Sequence, residues 1–128
     1  MQKLEASGVV RRVHTCKCAS NVVLVDKGQQ GQEHRMCCNF VDLNPYTAPA
    51  HYPIPQPAYL IDESREANLW STLDIKSCYH NFEVTEEAQP YLGITTQDGL
   101  YIFQRMPFGM DTASQWCQYA MDAIVARA

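Results

Sequence analysis

Leu69-Trp70-Ser71-Thr72-Leu73-Asp74-Ile75-Lys76-Ser77-Cys78-Tyr79-His80-Asn81-Phe82-Glu83-Val84 is an apolar run that ends on one carboxylate and continues into a tight, aromatic-bearing turn. Leu69–Asp74 has the length and character of a buried strand, and a strand that delivers an aspartate at its C-terminal end is a rigid support for a metal ligand. Aspartate is equally a favoured turn residue. Taken alone, the stretch favours the simpler role, a turn after a strand, and the rest of the chain has to decide.

Upstream, Pro57 suits a first helical position and Ala58–Ala67 can form about two to three turns before Asn68. Before that, Pro45, Pro49, Pro53, Pro55 and Pro57 disfavour helix and predict an extended connector. Its Tyr46, His51, Tyr52 and Ile54 predict that it lies against the body. Asn21–Val25 is a β-branched run broken by Asp26–Gly31, and Arg35–Val41 returns as its partner, giving a hairpin with Lys27 and Arg35 on its arms. At the front, Leu4–Ser7 reads as a short helix stopped by Gly8, a residue free to take the left-handed cap conformation, followed by extended Val9–Arg12.

Downstream, Thr85–Ala88 predicts an N-capped helical turn ended by Pro90. Tyr91–Thr96 and Leu100–Gln104 are strand-like on either side of Asp98-Gly99, a strong hairpin signal. Asp111 is a good N-cap for a closing helix from Thr112, in which Trp116, Tyr119, Ala120, Ala123 and Ile124 share one apolar face suited to packing on a sheet.

With 128 residues, 46% hydrophobic and 19% charged, the chain suits one globular domain or part of a larger one. No run approaches the roughly 20 apolar residues of a membrane span, and Met1–Glu5 lacks the apolar core of a secretory signal, so no membrane role and an intracellular setting are expected. The net charge of −4 argues mildly against a free-standing nucleic-acid binder. It hides a basic front, where Lys3, Arg11, Arg12, Lys17, Lys27 and Arg35 outnumber the acids, joined to an acidic body. That asymmetry suits a phosphate-gripping lobe beside a cation-binding one. Without a secretory signal, the six cysteines read as reduced thiols. His14, Cys16, Cys18, His34, Cys37 and Cys38 hold enough ligands for zinc, but no two cysteines stand at the Cys-x-x-Cys spacing of common zinc knuckles. Cys37 and Cys38 would also face opposite sides of a strand, which further argues against zinc.

The landmarks now stand in order: a basic hairpin, Arg35-Met36-Cys37-Cys38-Asn39-Phe40-Val41-Asp42-Leu43-Asn44, a proline-spaced connector, Leu73-Asp74-Ile75-Lys76-Ser77-Cys78-Tyr79-His80, and Met106-Pro107-Phe108-Gly109 before a helix. This order resembles a reverse transcriptase, in particular the polymerases of gypsy-type long-terminal-repeat retrotransposons, from about Leu4 to Asp122. The resemblance implies the fingers and first part of the palm of a right-hand polymerase, an α+β fold of antiparallel β-hairpins with packed helices. Residues 1–56 would be the fingers-like hairpin and connector, and 57–128 a partial palm.

The same resemblance makes Asp74 the catalytic Mg2+ ligand, with the carbonyl of Ile75 as a second contact. Tyr79 would lie beneath the incoming sugar and leave no room for a 2′-hydroxyl. Lys27 and Arg35 would hold the triphosphate, while Phe108 and Gly109 would shape the nucleotide pocket. Arg11, Arg12 and Asn44 would contact nucleic acid. The implied partners are RNA or DNA primer-template, deoxynucleoside triphosphates, and the remainder of the polymerase or neighbouring chains. The chain departs from its relatives at Cys78, where a small residue usually precedes the tyrosine, and at Val41, where Arg or Lys often helps hold template.

One motif is missing: the family's Tyr-x-Asp-Asp hairpin has no counterpart, and no Asp-Asp pair occurs anywhere in the sequence. With one carboxylate of the usual three, the chain alone is expected to lack polymerase activity, and Leu69–Asp74 is expected to expose an unpaired edge. The alternative is a domesticated or decayed polymerase fold that serves as a nucleic-acid or protein interaction module.

Overall fold

The computed structural model describes residues 1–26, 34–48 and 50–127. Five strands form one sheet in the order β1-β5-β4-β2-β3: β1 (Val10–Val13), β2 (Ala19–Asp26), β3 (His34–Cys38), β4 (Gly93–Thr96) and β5 (Gly99–Phe103). The two predicted hairpins are present. β2 pairs antiparallel with β3, Val22 opposite Cys38, and β4 with β5, Ile94 opposite Tyr101. The sheet is nevertheless mixed, because β2 runs parallel to β4 with Ala19 opposite Gly93. This pairing joins segments some seventy residues apart, across the proline connector.

Helix α1 (Gln2–Ala6) ends at Ser7 and Gly8, whose φ of 69° is the left-handed conformation expected of it. The core lies on the sheet between Val9, Val10, Phe40, Leu92, Ile94 and Phe103, all buried, with the rings of Phe40 and Phe103 edge-to-face at 6.4 Å. Helix α2 covers Pro57–Glu63, shorter than its sequence pattern. At its end the Ser64 hydroxyl turns back onto the helix, 2.6 Å from the Leu60 carbonyl and 3.0 Å from that of Ile61, sharing its one proton between them, a back-bond that weakens the last turn. Residues 89–91 form a 3-10 turn that includes Pro90 rather than stopping before it.

Two larger expectations are corrected. Leu69–Asp74 is no strand, because no backbone among the described residues pairs with it; Leu69 is 88% and Leu73 93% exposed. The apolar surface is there, but a strand requires a partner to take up its N–H and C=O groups. Helix α3 (Ala113–Val125) buries only Ala113, and Trp116, Tyr119 and Ile124 on its predicted packing face are exposed. It also starts one residue late, after Thr112, because the Asp111 carboxylate accepts a bond from Asn44 instead of capping the helix. The connector is likewise less covered than expected. Tyr46 and Ile54 are exposed, while Tyr52 packs edge-on against Tyr119 and donates its hydroxyl to Asp122. That bond to a carboxylate raises the Tyr52 phenol above its usual range.

Candidate nucleotide and metal site

Beyond Asp74 the chain must reverse sharply, and Ser77 makes the reversal at φ 51° and ψ 45°, the only non-glycine residue with positive φ among those described. A 3-10 turn, Cys78–Asn81, follows, and the Asn81 amide donates back to the Lys76 carbonyl at 3.2 Å. Strain at such a position commonly accompanies a functional constraint. Ser77→Val is expected to cost about 1–2 kcal/mol, because a β-branched residue tolerates this region poorly. Ser77→Gly is expected to stay within about 1 kcal/mol of the parent. Urea midpoints of the two variants check both.

After the turn, residues 82–84 run beside 104–106. Val84 N–H donates to the Gln104 carbonyl and Met106 N–H to that of Phe82, and the Arg105 guanidinium meets the Glu83 carboxylate at 3.0 Å. This ladder brings the Asp74 turn and the Met106–Gly109 turn to one place. An open cleft of about 670 Å³ lies there, lined among others by Asp74, Ile75, Lys76, His80 and Phe108. Phe108 sits between two rings, Tyr79 at 5.1 Å and His80 at 5.0 Å, both edge-to-face. The far wall is Met36 and Cys38 of β3, and burial, then the neighbouring Cys37, pushes the Cys38 thiol up to about 12. That wall is therefore a neutral, small apolar surface near neutral pH.

Asp74, Ile75, Tyr79 and Phe108 thus come together. Gly109 follows with φ 102° and is packed against Cys38: a Cβ there would lie 2.5 Å from the Cys38 carbonyl oxygen. Arg11 and Arg12 sit exposed on β1, outside the cleft lining, with Arg12 donating to the Asp98 carbonyl at 2.8 Å. Asn44 is also outside the lining, its amide donating to the Gly109 carbonyl at 3.1 Å and to Asp111 at 2.9 Å. Arg35 lies on β3 with only its backbone described, and Lys27 lies outside the described residues. A separate cavity of about 380 Å³, bordered by Ser20, Asn39, Tyr46 and Tyr91, contains none of the predicted residues.

Sequence reasoning assigns no role to His80 and a different one to Asn44. Both act through bonds to backbone carbonyls, which leave no mark in composition or periodicity. For a divalent cation, the Asp74 carboxylate and Ile75 carbonyl are hard oxygen donors of the right kind but too few for an octahedral ion. Among the described residues, no three His, Cys, Asp or Glu side chains converge as a metal site, and no helix is long and apolar enough to cross a membrane.

The family described as reverse transcriptase (RNA-dependent DNA polymerase) matches residues 25–128. The retrovirus-related Pol polyprotein from transposon gypsy of Drosophila melanogaster is 28% identical over 98% of this chain, which spans 12% of that polyprotein. The Pol polyprotein from transposon opus of the same organism is 33% identical over 73% of the chain and 9% of its own length. The transposon Tf2-3 polyprotein of Schizosaccharomyces pombe is 30% identical over 73% of the chain and 7% of its own length. In fold, the chain is similar to the foamy viral protease-reverse transcriptase solved in complex with RNA/DNA hybrid. That match has a TM-score of 0.81 at 15% identity and covers 98% of this chain and 16% of the other. The order of motifs, the mixed sheet and these matches agree: the chain belongs to the reverse transcriptase family.

Proposed function

We propose that this chain is the fingers and first part of the palm of an RNA-directed DNA polymerase, with residues 1–56 mainly fingers and connector and 57–128 mainly palm. The observation that carries the reading is the shared cleft: Asp74, Ile75 and Phe108 line it, and Tyr79 packs on Phe108. In the complete enzyme, Asp74 and the Ile75 carbonyl would hold Mg2+, which would stabilise the attacking and leaving oxygens of nucleotidyl transfer. Tyr79 and Phe108 would bound the sugar and base of the incoming deoxynucleotide, and Lys27 and Arg35 would meet its triphosphate. Arg11, Arg12 and Asn44 belong to the nucleic-acid side of the same proposal. An intracellular setting, cytoplasm or retroelement particle, accompanies it.

A lone carboxylate does not complete two-metal chemistry, so the chain by itself is inactive in this reading. The exposed apolar Leu69, Trp70 and Leu73, and on α3 Trp116 and Ile124, are then surface available to the rest of a polymerase or to neighbouring chains. The test is a primer-extension assay with Mg2+ and all four deoxynucleotides, run beside binding of the same RNA/DNA hybrid across a salt series. Salt-sensitive binding without extension is expected. Extension that Asp74→Asn abolishes would overturn the inactivity, and absence of hybrid binding at low salt would favour a protein-interaction module instead.

A further inference from the structure

The Met106–Asp111 turn, which carries Phe108, is tied to the rest of the molecule at two of its carbonyls by side chains from different segments. At one end, His80 Nδ1 lies 3.1 Å from the Met106 carbonyl oxygen while the same imidazole stacks edge-on against Phe108. A carbonyl only accepts, so this nitrogen must carry the proton. The Nδ1–H tautomer and the imidazolium satisfy the bond, and the Nε2–H tautomer does not. At the other end, Asn44 donates to the Gly109 carbonyl and to the Asp111 carboxylate, and the Asp111 N–H donates to the Asn44 Oδ1 at 3.3 Å. These three bonds use both heteroatoms of one amide and span more than sixty residues of sequence.

We propose that His80 and Asn44 are positioning residues, a two-point clamp that fixes the Phe108 ring at the nucleotide pocket. The proposal rests on the reading of Phe108 as part of that pocket. It gives Asn44 a mechanical task beside the nucleic-acid role proposed above, and gives His80 a task that depends on its tautomer. A ring held on both carbonyl flanks presents one face to an incoming nucleotide, and losing either tie lets the turn sample other positions before binding, which lowers affinity.

The experiment uses the isotopically labelled chain. Long-range proton–nitrogen NMR reads the His80 tautomer, the amide shifts of residues 106–111 and the Phe108 ring shifts read the turn, and fluorescence of 2-aminopurine deoxyribonucleoside triphosphate with Mg2+ reads nucleotide affinity. The Nδ1–H form is expected. His80→Phe keeps a ring but loses the donor, and Asn44→Ala removes the other tie. Each is expected to shift the turn and weaken the nucleotide by about three- to tenfold, the scale of one hydrogen bond. His80→Asn, which keeps a donor near the Nδ1 position, is expected to recover much of both readouts. An Nε2–H tautomer, or a turn unmoved in His80→Phe and Asn44→Ala, overturns the clamp. A turn that moves while nucleotide affinity is absent or unchanged overturns instead the nucleotide role of Phe108, and with it the clamp's stated purpose.

Discussion

Replacing Phe40 by alanine is expected to destabilise the chain by about 3–5 kcal/mol, the usual cost of deleting a buried aromatic ring. Phe40 is 1% exposed, meets Phe103 edge-on, and has its Cδ2 3.6 Å from where a Cβ would stand on Gly109. It joins the sheet to the turn that carries Phe108, so its loss removes core packing and turn support together. A small domain holds only about 5–15 kcal/mol in total, so the variant would keep little of its stability. Its sequence neighbour Val41 is 68% exposed and provides the contrast: Val41→Ala should fall within about 0.5 kcal/mol of the parent. Urea unfolding followed by circular dichroism separates them, with the Phe40→Ala midpoint well below and the Val41→Ala midpoint unchanged. Equal midpoints would mean that the core does not lie where Phe40 and Phe103 meet.

Gly109→Ala is the second large effect, expected at about 2–4 kcal/mol from two terms that add. The first is conformational, since φ 102° is unfavourable for any residue with a Cβ. The second is steric, because the new methyl would stand 2.5 Å from the Cys38 carbonyl oxygen, a backbone atom that cannot rotate away. Gly8 isolates the first term. Its φ is 69° and a methyl added there would meet nothing within 4 Å, so Gly8→Ala should cost only about 1 kcal/mol. Relief of the clash in Gly109→Ala would pull the turn off β3 and separate Phe108 from Tyr79 and His80. Loss of the Phe108 ring shifts should therefore accompany the lowered urea midpoint. A Gly109→Ala variant no less stable than Gly8→Ala would contradict the close approach of the turn to β3.

How much of the fold is legible in the sequence follows from how local each signal is. The β2–β3 and β4–β5 hairpins announce themselves through β-branched runs, and Asp98-Gly99 marks the second turn, because both partners lie within a few residues of each other. The parallel β2–β4 pairing has no such signal. Leu69–Asp74 misleads for a related reason: apolarity shows what surface a segment could bury, and a strand forms only where another backbone is present to pair with it. The face of α3 is apolar as its periodicity indicates, yet Trp116 and Tyr119 remain exposed because little of the described chain lies over them.

The site divides in the same way. Asp74, Tyr79 and Phe108 are singled out through a resemblance of motifs, and the ladder between residues 82–84 and 104–106 explains physically how these distant motifs reach one cleft. His80 and Asn44 are not readable as a clamp, since each bonds a carbonyl that every residue possesses. Asp111 shows the competition directly. Its carboxylate suits an N-cap on local grounds, but the amide of Asn44, 67 residues away, holds it elsewhere.

In the function proposed above, Asp74 and the Ile75 carbonyl form the protein's half of a nucleotide–metal site. The most direct test is a titration of the nitrogen-15-labelled chain with Mn2+ in the presence of a deoxynucleoside triphosphate, following paramagnetic broadening of each amide. Broadening centred on residues 74–77 and reaching Phe108 is predicted, and it should vanish in Asp74→Asn. Broadening that is spread over other carboxylates such as Glu86 and Glu87, and is unchanged in Asp74→Asn, would contradict the account.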